Sequence, residues 1–192
     1  AELKRLALTQ LRVRTLYNPF YKLADNLASC WMARAELSGP CMILNGDTLF
    51  EPEIAGRLLA APSAPITVTI DRKAAYDSDD MKVETDGDRL RAIGKALSAD
   101  RVNGESIGFL RFEAEGAALF VAELERTMRT PEGPGLWYLS AINRLANAGA
   151  DVRVVSIEGL SWGELDFPAD LVQVRELASS WHAHKQAVSA TT

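Results

Sequence analysis

Apolar residues along the chain fall by turns into short runs and into helical spacing, and the alternation of the two predicts the layout. Cys41, Met42, Ile43 and Leu44 form a run that stops at Asn45-Gly46-Asp47. That pattern predicts a buried strand over 41–45 ending in a turn. Comparable runs predict strands at 66–70, 106–112 and 152–155, and a short one at 162–166 that again stops at a carboxylate, Asp166. Alternation over 11–17 predicts a further strand, broken by Asn18-Pro19. Helical spacing recurs over 25–37, where Leu27, Cys30, Trp31 and Leu37 share a face, and over 51–61, 114–128, 137–148 and from Pro168 onward. Residues 1–10 have the body of a helix with no cap ahead of it. The charged stretch 71–104 changes character. Its strand-like pieces at 81–83 and 90–93 flank Asp86-Gly87-Asp88, which predicts a small antiparallel hairpin inserted beside the main sheet. Strands alternating with helices predict a three-layer α/β domain. The expectation is one domain over 1–186 and a disordered tail over 187–192.

Composition narrows the function classes. The chain has 192 residues, 47% hydrophobic and 24% charged, with a net charge of −5. These are ordinary globular values, long enough for a real core. The acidic balance offers no broad attraction to nucleic acid or anionic lipid, so a phosphate ligand must be held by local cations or a metal. Two cysteines, Cys30 and Cys41, read as buried small hydrophobes rather than a disulfide. The two histidines lie in the tail, which excludes a Cys/His metal cluster. Without a membrane-length apolar run or a signal peptide, the expectation is a cytoplasmic protein with neither a membrane nor a nucleic-acid partner.

The candidate chemistry sits where strands end. In an open α/β sheet, ligands bind in the crevice at the carboxyl ends of strands, and 41–45 would deliver Asp47 there on a rigid support. A hard carboxylate oxygen suits Mg²⁺, which takes one or two protein carboxylates and completes its shell with water and substrate phosphate. A plain turn ahead of the helix at Glu51 explains the same residues. Asp166 likewise reads either as a ligand or as a cap before the first-turn Pro168.

Seven stretches, in order and spacing, resemble the sugar-nucleotidyltransferase-like family: Asn18-Pro19-Phe20-Tyr21, Asp25-Asn26-Leu27-Ala28-Ser29, Leu44-Asn45-Gly46-Asp47, Met81-Lys82-Val83, Lys95, Gly104-Glu105-Ser106-Ile107-Gly108 and Trp162-Gly163-Glu164-Leu165-Asp166. Within it the chain is most similar to bacterial phosphocholine cytidylyltransferases and their relatives acting on small phosphorylated or phosphonylated alcohols. The resemblance implies a three-layer α/β/α Rossmann-like nucleotide-diphospho-sugar transferase fold with a mixed, mainly parallel sheet. It implies transfer from a nucleoside triphosphate, CTP in the relatives, to an acceptor such as phosphocholine or an aminoalkylphosphonate, with release of pyrophosphate. It implies Asp47 and Asp166 as paired Mg²⁺ ligands and Lys82 and Lys95 as phosphate clamps. Glu105 would bind the acceptor, and Asn18, Asn26 and Ser29 would face the nucleotide. Trp137, Tyr138 and Trp162 read either as core or as an aromatic wall suited to a cationic acceptor.

Members of that family open with a strand and a Gly-rich loop that cradles the triphosphate. Nothing in residues 1–192 matches it, so the expectation is a chain that starts beyond this loop or has lost it. Such a chain is expected to turn over poorly alone and to pair with a second copy through an uncovered sheet edge. The alternative readings are a sugar-1-phosphate nucleotidyltransferase and a non-catalytic interaction domain that keeps the fold.

Overall fold

A computed structural model of the protein describes residues 13–189, with side chains described as far as Trp181. Among the described residues there are eight strands: β1 (Cys41–Leu44), β2 (Thr48–Phe50), β3 (Ile66–Asp71), β4 (Lys82–Asp86), β5 (Arg89–Ile93), β6 (Gly104–Phe112), β7 (Val152–Ser156) and β8 (Trp162–Glu164). Six of them form one mixed sheet in the order β1-β6-β3-β7-β5-β4, and β2 pairs with β8 in a separate ladder. The helices are α1 (Asn26–Met32), α2 (Pro52–Ala60), α3 (Ala114–Thr127), α4 (Tyr138–Asn147) and α5 (Asp170–Ser189).

The alternating pattern correctly implies that β1, β3 and β7 point the same way. Their neighbour relations correct the expectation of a mainly parallel sheet. Among the described residues only β3 and β7 pair in parallel. β6 enters between β1 and β3 and runs antiparallel to both, in the registers Cys41↔Phe112 and Ile66↔Phe112. The hairpin is corrected too. β4 pairs with β6 at Lys82↔Glu105, and β5 meets β7 at Arg89↔Arg153, so the hairpin is part of the main sheet rather than beside it.

Helices cover both faces, which is why all nine residues of β6 are buried. Leu110 and Phe112 join the larger core with Ile66, Val68, Phe120, Leu124 and Ile142. Ile107 and Phe109 join Ile54, Leu58 and Ile157 on the α2 side. The Phe50 and Phe109 rings stack at 5.0 Å. The helix α3 approaches so closely that a Cβ on Gly116 would lie 1.8 Å from the Pro65 carbonyl oxygen.

Arg111 ties the layers together. Its guanidinium, pointing from β6, donates to the carbonyls of Leu58 (2.9 Å), Leu59 (3.0 Å), Ala61 (3.2 Å) and Pro62 (2.9 Å). The end of α2 thus has its orphan carbonyls satisfied by a cation placed at the negative end of the helix dipole.

Three further differences lie between residue 13 and the end of β1. Residues 13–17 of the expected 11–17 strand are irregular and exposed. The strand β1 is half open, with Met42 49% and Leu44 44% exposed, because it stands at a sheet edge. The segment 25–37 is helical only to Met32 and then tightens into a 3₁₀ turn over Arg34–Glu36. The helix expected over 1–10 lies outside the described residues, as do 190–192 of the expected tail; the backbone of α5 continues to Ser189. Among the described residues no helix is long and apolar enough to cross a membrane.

Candidate active site

The strand ends β1, β3 and β7 and the start of β6 meet at one edge of the sheet. At that edge β6 bulges: Val68 faces Leu110, but Ile70 faces Ser106. Gly108 makes the bulge possible. Its φ is +71°, and a Cβ there would stand 2.4 Å from Asn45 Nδ2. The bulge in turn fixes the turn after β1, since Asn45 N–H donates to Gly108 O at 2.9 Å and Thr48 Oγ1 donates to Ile107 O at 3.1 Å.

Asp47 follows from that anchoring. The β2–β8 ladder pairs Thr48 with Glu164, and Leu165 N–H extends it by donating to Asp47 O at 3.0 Å. Asp47 and Asp166, which lie 119 positions apart in the chain, therefore emerge at the same end of one ladder. Both border a cleft of about 510 Å³, along with Glu164. Desolvation, then the negative charges of Asp166 and Asp47, holds the Glu164 carboxyl above its ordinary range. Hard oxygens with surplus negative charge fit Mg²⁺ held by two carboxylates, water and substrate. Among the described residues there is no group of three or more Cys, His, Asp or Glu arranged to enclose a metal by themselves.

A second charged group lines the same cleft. Glu105 is only 4% exposed. Lys73 Nζ lies 2.8 Å from Glu105 Oε2 and 2.8 Å from Asp80 Oδ2. Burial outweighs that ammonium and pushes the Glu105 carboxyl up to about 7. For Lys73, burial acts downward, but hydrogen bonds and charge from Asp80 and Glu105 prevail and raise it. At the end of β3, Asp71 Oδ2 accepts from Trp162 Nε1 at 2.9 Å, which orients the indole against the cleft.

The other expected residues separate into two groups. Lys95, Asn26, Trp137, Tyr138 and Trp162 border the cleft with Glu105. Lys95 Nζ stands 4.8 Å from the Trp137 ring centroid, a cation–π contact. Tyr138 is 2% exposed, packs edge-on against Phe120 at 6.4 Å, and its hydroxyl has no hydrogen-bond partner among the described residues. Burial, then Cys30, Asp47 and Glu164, raises that phenol's pKa. Asn26 Oδ1 accepts from Tyr138 N–H at 2.8 Å, which caps the start of α4.

Outside the cleft lining are Lys82, Asn18 and Ser29. Lys82 is 8% exposed and its Nζ donates to the Lys95 carbonyl at 3.0 Å, so it braces the backbone that carries Lys95. Asn18 accepts from Phe20 N–H at 2.8 Å and donates to Ser29 Oγ at 3.0 Å, forming a surface turn. The sequence reading missed Lys73, Asp80 and Asp71. Asp71 carried the signal that exposed Asp47, an apolar run stopping at a carboxylate. Lys73 and Asp80 lie in a loop with no periodicity to mark them.

No family model matches the chain. It is 30% identical over 170 residues to CMP-5'-(3-aminopropyl)phosphonate synthase of Streptomyces rubellomurinus, a match covering 83% of this chain and 26% of that protein. The chain thus spans about a quarter of the length of the curated relative it matches. Among solved structures it is similar to the inositol-1-phosphate CTP transferase of T. maritima, with a TM-score of 0.73 at 20% identity over 94% of this chain and 72% of that one. It is also similar to the CTP:phosphocholine cytidylyltransferase of Streptococcus pneumoniae, with a TM-score of 0.70 at 18% identity over 92% and 74%. The chain has the nucleotidyltransferase fold, as its motifs led one to expect.

Proposed function

With that fold as premise, we propose that the chain is the transfer region of a cytidylyltransferase. An oxygen of a small phosphorylated or phosphonylated acceptor attacks the α-phosphorus of CTP. The new oxygen–phosphorus bond forms as the bond to the bridging oxygen breaks, and pyrophosphate leaves. Such a reaction asks the protein for placement and charge neutralisation rather than covalent chemistry. The observation that carries the reading is the emergence of Asp47 and Asp166 at one end of the β2–β8 ladder, at the mouth of the cleft.

Asp47 and Asp166 would hold Mg²⁺, which when bound offsets phosphate charge. Lys95 reaches the cleft with an ammonium that, among the described residues, no carboxylate neutralises by direct contact, and it is the lysine suited to a phosphate. Lys82 keeps the Lys95 backbone in place. Asn45 and Asn26 bring side-chain amides to the cleft for the nucleotide. Glu105 and the Trp162 indole serve the acceptor end. CTP is favoured over other triphosphates by the cytidylyl and CTP chemistry named in the relatives.

Calorimetric titration with CTP and Mg²⁺, on the wild type and on Asp47→Ala, tests the reading. Metal-dependent CTP binding that Asp47→Ala abolishes supports it, and ³¹P NMR with 3-aminopropylphosphonate then reads CMP-phosphonate and pyrophosphate directly. CTP binding indifferent to both Mg²⁺ and Asp47 would overturn the metal role.

A further inference from the structure

Two carboxylates that line the cleft, Glu105 and Asp80, already share a cation, and it belongs to the chain itself. Lys73 Nζ is 2.8 Å from Glu105 Oε2 and 2.8 Å from Asp80 Oδ2, and 5.8 Å from the Tyr76 ring centroid. We propose that Lys73 is a resident stand-in for the acceptor's primary ammonium, which it must yield to, and that it thereby selects against acceptors without one. The inference rests on the transfer reading above and goes further by assigning a specificity role to a residue outside the recognised motifs.

Three observations carry it. First, the partners are unequally held. Glu105 is fixed in β6 and buried, whereas Lys73 rides on residues 72–81, which form neither helix nor strand, and its own side chain is 37% exposed. The lysine can leave while the carboxylate stays. Second, an ion so buried is costly without a counter-charge. A neutral acceptor that pushed Lys73 aside would leave Glu105 and Asp80 without their shared cation, while an ammonium taking its place exchanges like for like. Third, both contacts are at hydrogen-bond length, which needs N–H donors. A primary amine has them and a quaternary ammonium has none. One of the aromatic faces that could serve the latter, that of Trp137, already has Lys95 Nζ over it.

A protein whose competent state is rare binds its ligand more weakly by that fraction, and removing the internal competitor restores the affinity. The experiment is an NMR titration of the chain with 3-aminopropylphosphonate and, separately, with propylphosphonate, on wild type and Lys73→Met. The expected result is that Lys73→Met binds the amino ligand about tenfold more tightly and propylphosphonate no better than before. Equal weakening of both ligands, or no change in either, would overturn the proposal. A second readout needs no variant to fold: in ¹³C-lysine-labelled wild type, the Lys73 Cε signal should move to its solvent position on saturation with the amino ligand only. A Cε signal unmoved at saturation is equally fatal. If neither protein binds either phosphonate while CTP and Mg²⁺ still bind, the exchange is refuted and the nucleotide half of the function stands. If the exchange is seen but CTP fails to bind, the transfer reading falls and the lysine's role stands.

Discussion

Replacing Glu105 with Gln should remove a pH dependence that burial builds into the cleft. The folded carboxyl, at about 7, lies above its unfolded value near 4.5. Between those values the folded chain keeps a proton that the unfolded chain releases. The contribution is therefore fully present below about pH 4.5 and is lost as pH rises through about 7. At about 1.4 kcal/mol per unit, the loss is about 3 kcal/mol. The Lys73 charge is constant over this window because its own pKa is raised, so it adds no slope. Urea unfolding of wild type and Glu105→Gln at about pH 4 and about pH 8 isolates the effect, since other groups cancel in the difference. Wild-type stability minus variant stability should fall by up to about 3 kcal/mol across that range. A difference that rises with pH would mean that the Lys73 ion pair outweighs burial, and it would refute the reasoning.

Other substitutions probe the scaffold. Arg111→Met should cost about 3–5 kcal/mol in urea unfolding, because four carbonyls at the end of α2 lose a shared donor, and Arg111→Lys should recover part of it. Gly108→Ala combines a positive φ with a contact on Asn45, so a loss of about 2 kcal/mol is expected, with weaker Mg²⁺-dependent CTP binding as the Asp47 turn loosens. A loss under about 0.5 kcal/mol would show that the bulge does not anchor the turn. Asp71→Ala should cost about 1 kcal/mol and alter the near-ultraviolet circular dichroism of Trp162 by freeing its indole N–H.

What could be read from the sequence was whatever leaves a periodic mark. Runs such as 66–70 and the helical spacing of 114–128 and 137–148 located their elements to within a residue or so. Asp47 stood out because it interrupts an apolar run, and Asp166 because it ends a short predicted strand within a motif of the resemblance. The direction of β6 was not, since an apolar strand has the same pattern either way round and only its neighbours fix its sense. Lys82 looked like a free cation at a strand start, and only its burial reveals that its Nζ is spent on a backbone carbonyl. Arg111 was invisible because the carbonyls it serves lie some fifty positions away, and Lys73 because its loop has no periodicity and one of its two carboxylates, Glu105, comes from a distant strand.

The reversed central strand also sets a timetable. β1 and β3 are both hydrogen-bonded to β6, so Cys41 and Ile66 must wait for Phe112 before either strand has its partner. During synthesis β1 and β3 therefore emerge as unpaired strands and wait for β6, while the β4–β5 hairpin, whose two strands are adjacent in the chain, can pair at once. Closing loops of that span before any contact rewards them makes for slow folding and a long exposure of strand edges. The same strand that carries the bulge, Glu105 and Arg111 is thus the step at which this chain either assembles or aggregates.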